Sequence, residues 1–272
     1  MVITSKKQKP TPEMMEAYLN IALQMRLIMM PFVMPLVRTD EDGPTHVGSG
    51  GYIEFSGHKL ALTNDHVVRE GQGRLAHKFY DSDTYFGFPN AFASEAFPID
   101  LAASSVDLTW TATTHSAMAF PEHRMALIHA PVARELLFLM GFAGSRAYFS
   151  PILNIIVTNG TPYLNQEFDP QAEERDIRCE HYDPNLHFAI PWEPEQIEVV
   201  DRDDKAIPVN ANGFSGSLVW NTRYVEYAAA EKPWDPNVAQ LTGVVWGWPQ
   251  QDRVLLATRI EHVRTFLAKS SK

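Results

Sequence analysis

The sequence predicts an all-β chain with a helix at each end, and three observations carry that expectation. From Phe32 onward, apolar runs of three to seven residues recur between Gly, Pro, Asn and Asp, the pattern of short strands joined by turns in a barrel or sandwich. A single stretch of strong helical spacing, Thr11 to Met30, precedes them, and a shorter one, Arg259 to Leu267, closes the chain. At 272 residues there is enough chain to bury one large core, or two barrels sharing an interface.

The first helix opens on Thr11-Pro12-Glu13: an N-cap, a proline in the first turn and an acid at the positive end of the helix dipole. Met15, Tyr18, Leu19, Ile21, Ala22, Met25, Leu27 and Ile28 give it a broad apolar face, and Pro31 stops it. The expected strands are Phe32–Val37, Gly51–Phe55, Leu60–Thr63, Asp107–Thr111, Leu137–Gly141, Ile152–Thr158, His187–Ile190, Leu218–Trp220, Leu241–Trp246 and Val254–Thr258. Two long connections, Glu70 to Pro98 and Tyr163 to Lys205, have the length of loops that shape clefts on a barrel, or of solvated insertions. Ile260, Val263, Phe266 and Leu267 fall on one face of the closing helix, which is expected to dock on the last barrel.

The net charge of −10 argues against a nucleic-acid surface, which needs a basic stripe to displace counterions. One cysteine, Cys179, permits no intrachain disulfide, and a reducing, cytoplasmic location is expected. Met1 to Lys7 lacks the apolar segment of a signal peptide. The most apolar stretch, Ala17 to Val37, is broken by Asn20, Gln24, Arg26 and two prolines, so no membrane partner is expected. Cys179-Glu180-His181 makes at most half a metal ligand set, and no glycine-rich phosphate loop opens a helix; neither metal nor cofactor is expected. The first helix is a candidate for docking a protein partner or for bridging two barrels.

Chemistry concentrates in Ala211-Asn212-Gly213-Phe214-Ser215-Gly216-Ser217. Flanking glycines let the backbone turn tightly, so that a hydroxyl projects and neighbouring N–H groups can face a developing oxyanion. A serine at neutral pH needs a base, and the base needs a buried acceptor to hold one tautomer. His66, where the apolar run Leu60–Thr63 ends, is the candidate base. Asp107, opening a strand-like run, is preferred as the acceptor, with Asp100 competing for the role. His, Asp, Ser is one of the chain orders in which such a set occurs.

Gly48-Ser49-Gly50-Gly51-Tyr52-Ile53, Leu62-Thr63-Asn64-Asp65-His66-Val67-Val68, Asp107-Leu108-Thr109-Trp110, Leu139–Gly144, Gly213–Ser217 and Leu241–Val245 resemble, in order, the motifs of trypsin-like (chymotrypsin-fold) serine peptidases. The HtrA-type bacterial branch is the most similar, here without a PDZ domain. The resemblance covers about residues 31 to 268. It implies two antiparallel six-stranded β-barrels, over 31–150 and 151–272, with residues 1–30 as a helical extension. It also implies a cleft between the barrels and a protein or peptide substrate. By position, Ser215 is then the nucleophile, His66 the general base and Asp107 the orienting acid, while the N–H groups of Gly213 and Ser215 form the oxyanion hole. The interval from Asp107 to the Gly141 turn matches the family better than that from Asp100. Val244, Val245, Trp246, Gly247 and Trp248 would line the cleft, and the uncharged Pro208 and Val209 would floor the primary pocket, favouring a small or apolar residue before the scissile bond. Leu218 stands where the family usually has proline, Phe214 replaces a small or polar residue, and Phe142-Ala143 replaces Phe-Pro.

Overall fold

The structure, a computed structural model, describes residues 11–41, 43–150, 155–192 and 210–270. It opens with helix α1 (Pro12–Met29), capped by Thr11, whose hydroxyl accepts the Met14 N–H at 3.3 Å. The first sheet follows: β1 (Val33–Asp40), β2 (Gly43–Phe55), β3 (His58–Thr63), β4 (Leu75–His77), β5 (Phe86–Gly87), β6 (Ala93–Glu95) and β7 (Leu101–Ser105). These pair antiparallel in the order β5-β4-β1-β2-β3-β7-β6. Helix α2 (Asp65–Glu70) leaves β3, and α3 (Asp107–Ala112) leaves β7.

The second sheet comprises β8 (Leu136–Phe142), β11 (Gly160–Gln166), β12 (His187–Pro191), β13 (Leu218–Asn221), β14 (Gln240–Gly247) and β15 (Val254–Arg259). It pairs antiparallel in the order β11-β8-β13-β14-β15-β12, and a two-stranded ribbon of β9 (Tyr148–Ser150) and β10 (Ile155–Val157) stands beside it. Short helices α4 (Pro170–Glu173) and α5 (Tyr224–Ala229) interrupt the later connections, and α6 (Ile260–Ser270) ends the fold. The chain is all-β in class, two curled antiparallel sheets of seven and six strands with a helix at either end. No helix among the described residues is long and apolar enough to cross a membrane.

Each sheet curls around apolar side chains of its own. Tyr52, Leu36 and Phe79 fill the first, and Leu139, Phe188, Phe214 and Trp192 the second. A third and larger core occupies the seam. There Phe32, Val33, Ile53 and Leu62 from the first half meet Phe138, Leu218, Trp220 and Val244 from the second, with Met25 and Met29 of α1 and Val263 and Phe266 of α6 closing it. The helices therefore tie the two sheets into one unit, because both bury their apolar faces at that joint.

One expected strand is a helix. Asp107–Thr111 lies in α3, and the strand is instead Leu101-Ala102-Ala103-Ser104-Ser105, whose Ala and Ser residues carry little intrinsic strand preference. Pairing with β3 and β6 on both edges makes it a strand despite its composition. Asp100 thus sits at the entrance to a sheet strand, and Asp107 beyond its exit.

Candidate functional site

β2 and β3 form a hairpin that ends at Thr63, and α2 starts two residues later, so His66 stands on the first turn of a helix at the open end of the sheet. Directly beside it, Asp100 precedes β7 with a left-handed backbone (φ +49°). That conformation, uncommon for a residue with a side chain, turns its carboxylate back onto the helix. Oδ1 accepts the His66 backbone N–H at 3.0 Å and Oδ2 accepts the ring Nδ1–H at 2.6 Å. The Asp100 carbonyl in turn accepts the buried Asn64 side-chain amide at 2.7 Å. Asp100 is only 2% exposed. A carboxylate accepts and cannot donate when ionised, so the contact fixes the His66 proton on Nδ1 and leaves Nε2 as the ring's acceptor.

Asp107 does not reach His66. Its carboxylate accepts the Lys59 backbone N–H at 2.9 Å and the Ser105 hydroxyl at 3.1 Å, and pairs with His58 Nδ1 at 3.2 Å. Burial raises its pKa, but these hydrogen bonds outweigh it and hold the carboxyl below its usual range. The difference between the two acids has a simple geometric cause: β7 carries the chain across the sheet between positions 100 and 107, and only its entrance faces α2.

Two further carbonyls of the Asp100 loop are held from the second sheet. His187 Nε2–H donates to the Pro98 carbonyl at 2.8 Å, while its Nδ1 accepts the Asp183 N–H at 3.1 Å. Thr258 Oγ1 donates to the Ile99 carbonyl at 3.0 Å. Burial lowers the His187 pKa, against the opposing pull of the Pro98 carbonyl. The acid therefore rests on both halves of the molecule.

Ser215 lies on a turn between Ala211 and β13 that is fixed by Phe214 N–H to Ala211 O at 3.0 Å, Gly216 N–H to Val245 O at 2.8 Å and Ser217 N–H to Phe214 O at 2.9 Å. Gly213 and Gly216 have φ of +92° and +88°, a region that glycine alone enters without strain. Among the described residues, neither the Gly213 N–H nor the Ser215 N–H has an acceptor. Gly48 fills the gap between this turn and α2: a Cβ there would lie 2.9 Å from Val67 Cγ1 and 3.3 Å from the Ser215 carbonyl. That close approach brings the serine turn against the helix bearing His66. The Ser215 hydroxyl makes one long hydrogen bond, 3.5 Å to the Trp246 carbonyl, and among the described residues none to His66.

The strand expected to line the cleft divides its residues. Val244 and Val245 are buried in the cores, so their side chains do not face a cleft. The β14–β15 register slips between Val245 and Gly247, which bulges Trp246 out of the ladder. The Trp246 ring packs against Phe97 at 5.0 Å and His187 at 5.0 Å, Phe97 also meeting His181 at 4.7 Å. Trp248 packs beside the second core. Pro208 and Val209 lie outside the described residues. No group of three or more His, Cys, Asp or Glu that could hold a metal ion occurs among the described residues.

Two curled antiparallel sheets joined at a seam, with a helix at either end, are the fold of the trypsin-like serine proteases. Among solved structures, the VesB protease of Vibrio cholerae superposes with a TM-score of 0.50 at 12% identity, over 89% of this chain and 64% of that one. An inactive form of Rv3671c from M. tuberculosis H37Rv gives 0.49 at 16% identity over 96% and 94%, and the active form of that protease 0.48 at 16% over 96% and 88%. At 12% identity the likeness to VesB is one of fold. No family model and no curated protein matches the sequence.

Proposed function

We propose that the chain is a serine endopeptidase that hydrolyses peptide bonds through an acyl-enzyme, with Ser215 as nucleophile, His66 as general base and acid, and Asp100 as the orienting carboxylate. One observation carries this reading: the buried Asp100 carboxylate gripping the Nδ1 and the backbone N–H of His66 at 2.6 and 3.0 Å, beside a serine turn with two N–H groups that have no acceptor among the described residues. In the first step Nε2 of His66 takes the Ser215 proton as Oγ bonds to the scissile carbonyl carbon. The carbonyl oxygen becomes an oxyanion facing the N–H groups of Gly213 and Ser215. The imidazolium, stabilised by Asp100, returns its proton to the leaving amine as the C–N bond breaks. Water then attacks the ester by the same proton transfers, releasing the acid and restoring Ser215. Backbone from Trp246 to Trp248 supports an extended substrate by strand addition. We place the protein in the cytoplasm on the strength of its single cysteine.

A second reading, a catalytically idle peptide-binding protein on a peptidase fold, is favoured by the Ser215 hydroxyl resting on the Trp246 carbonyl rather than on His66. Labelling by a fluorophosphonate probe decides between them. The peptidase reading expects the purified chain to label and Ser215→Ala not to; a folded wild-type chain that never labels and cleaves no peptide supports the idle reading instead.

A further inference from the structure

β2 reaches across the seam at one residue. Ser49 is fully buried, and it spends every polar group it has on holding the serine turn or its supports. Its backbone N–H donates to the Ser215 carbonyl at 2.8 Å, and its own carbonyl accepts the Thr63 hydroxyl at 2.8 Å. The side-chain hydroxyl donates to the Gly213 carbonyl at 2.6 Å and accepts the Phe142 N–H from β8 at 2.8 Å. The hydroxyl thereby donates its one proton and accepts one N–H.

The consequence falls on Gly213. Its φ of +92° comes from a residue that rotates with little resistance, so neighbours must set the direction of its N–H. The carbonyl of the preceding Asn212, which shares a peptide plane with that N–H, accepts the Gly144 N–H at 2.8 Å. The following peptide plane is held through the Gly213 carbonyl by the Ser49 hydroxyl. His46, on the same strand, donates Nε2–H to the Phe142 carbonyl at 2.7 Å. Burial lowers the His46 pKa, against the pull of that carbonyl. A Cβ on Gly213 would meet this same carbonyl at 2.5 Å and His46 Nε2 at 2.7 Å.

We propose that the Ser49 hydroxyl is a positioning residue: from the first sheet it locks the Gly213 peptide of the second, so that the Gly213 N–H faces the oxyanion. The inference rests on the peptidase reading above. The hydroxyl touches no substrate, and its removal leaves the Ser49 N–H on Ser215 intact.

The test is the second-order rate of fluorophosphonate labelling, with kcat and KM for a peptide ester, on the full chain and on Ser49→Ala. The variant is expected to label ten- to a hundredfold more slowly, part of the 10²–10³ that loss of a whole oxyanion donor costs. Its kcat should fall in proportion, with KM within about threefold and a melting temperature well above the assay. Ser49→Cys keeps a small side chain at the site, slightly larger and a much poorer donor; it should fall with the alanine variant, and it carries the comparison if Ser49→Ala does not fold. Either variant labelling at the wild-type rate overturns the inference and leaves the peptidase reading standing. A wild-type chain that does not label removes both.

Discussion

The carboxylate of Asp100 meets His66 twice, at the ring Nδ1 and at the backbone N–H, 2.6 and 3.0 Å away. Two contacts to one residue fix both the tautomer of the imidazole and the position of the helix turn that carries it, which no single hydrogen bond would do. Asp107, seven positions along, spends its oxygens on Lys59, His58 and Ser105.

Exchange of each acid for its amide should therefore separate them cleanly. Asp100→Asn presents an N–H₂ group or a weaker acceptor to Nδ1, favours the wrong tautomer, and should lower kcat by about four orders of magnitude. Asp107→Asn should leave kcat within a few-fold and cost about 1 kcal/mol of stability through a weakened bond to the Lys59 N–H. Steady-state kinetics on the two variants settle the assignment; equal losses would put neither acid behind the base.

The fold class and both helices were legible because periodicity and capping are local properties: Thr11 caps α1, and α6 buries the apolar residues its spacing selects. The turn chemistry around His66 and Ser215 singled them out as candidates, and the proposed function rests on the same two residues. Which aspartate meets His66 was not legible, because the choice between Asp100 and Asp107 depended on where β7 runs, and Leu101–Ser105 hides a strand in Ala and Ser. Ser49 gave only the indirect sign that glycines on both sides of it permit close approach of a neighbouring backbone. The bonds it makes to Gly213 and Phe142 join positions 164 and 93 residues away, and no local pattern encodes them.

Gly216 of the serine turn and Gly57 of the β2–β3 turn have matched backbones, with φ of +88° and +82°. Around Gly57 a Cβ would meet nothing within 4 Å, so Gly57→Ala should cost only the backbone term, about 1–2 kcal/mol. At Gly216 the same methyl would run into the Ser49 carbonyl oxygen and the Thr63 hydroxyl. Gly216→Ala should therefore cost at least about 3 kcal/mol and abolish probe labelling by moving Ser215. Urea denaturation of both variants reads the difference, and equal midpoints would contradict the packing described for Ser49.

Helix α1 belongs to the seam rather than to a free extension. Met25 and Met29 are fully buried among residues of both sheets, whereas Leu27 is 74% exposed. Met25→Ala should destabilise the whole protein by about 2–4 kcal/mol in one cooperative transition, and Leu27→Ala by less than about 0.5 kcal/mol. A Met25→Ala protein that melts like wild type would mean that the helix is dispensable to the fold.

His77 should impose a pH dependence on stability that is independent of catalysis. Its Nδ1 meets the Tyr52 hydroxyl at 2.7 Å inside the first sheet, and among the described residues its Nε2 has no partner. Burial, reinforced by His115, pushes its pKa down from 6.5 to about 4. Between those two values the unfolded chain binds a proton that the folded one refuses. Stability then rises with pH through this window and is lost as pH falls from about 6.5 towards 4, amounting to about 3 kcal/mol at the lower end. His46 and His187, lowered chiefly by burial, act in the same direction, so the informative quantity is the difference between wild type and His77→Phe. The phenyl ring keeps the aromatic packing against Phe79 and Phe88, and the Tyr52 hydroxyl retains the Lys78 carbonyl at 3.3 Å as acceptor. Urea midpoints measured at pH 7.5 and pH 4.5 should fall less in His77→Phe than in wild type, with the gap between the two proteins narrowing as the pH drops. Parallel acid losses in the two would show that His77 is protonated in the folded state as readily as in the unfolded one.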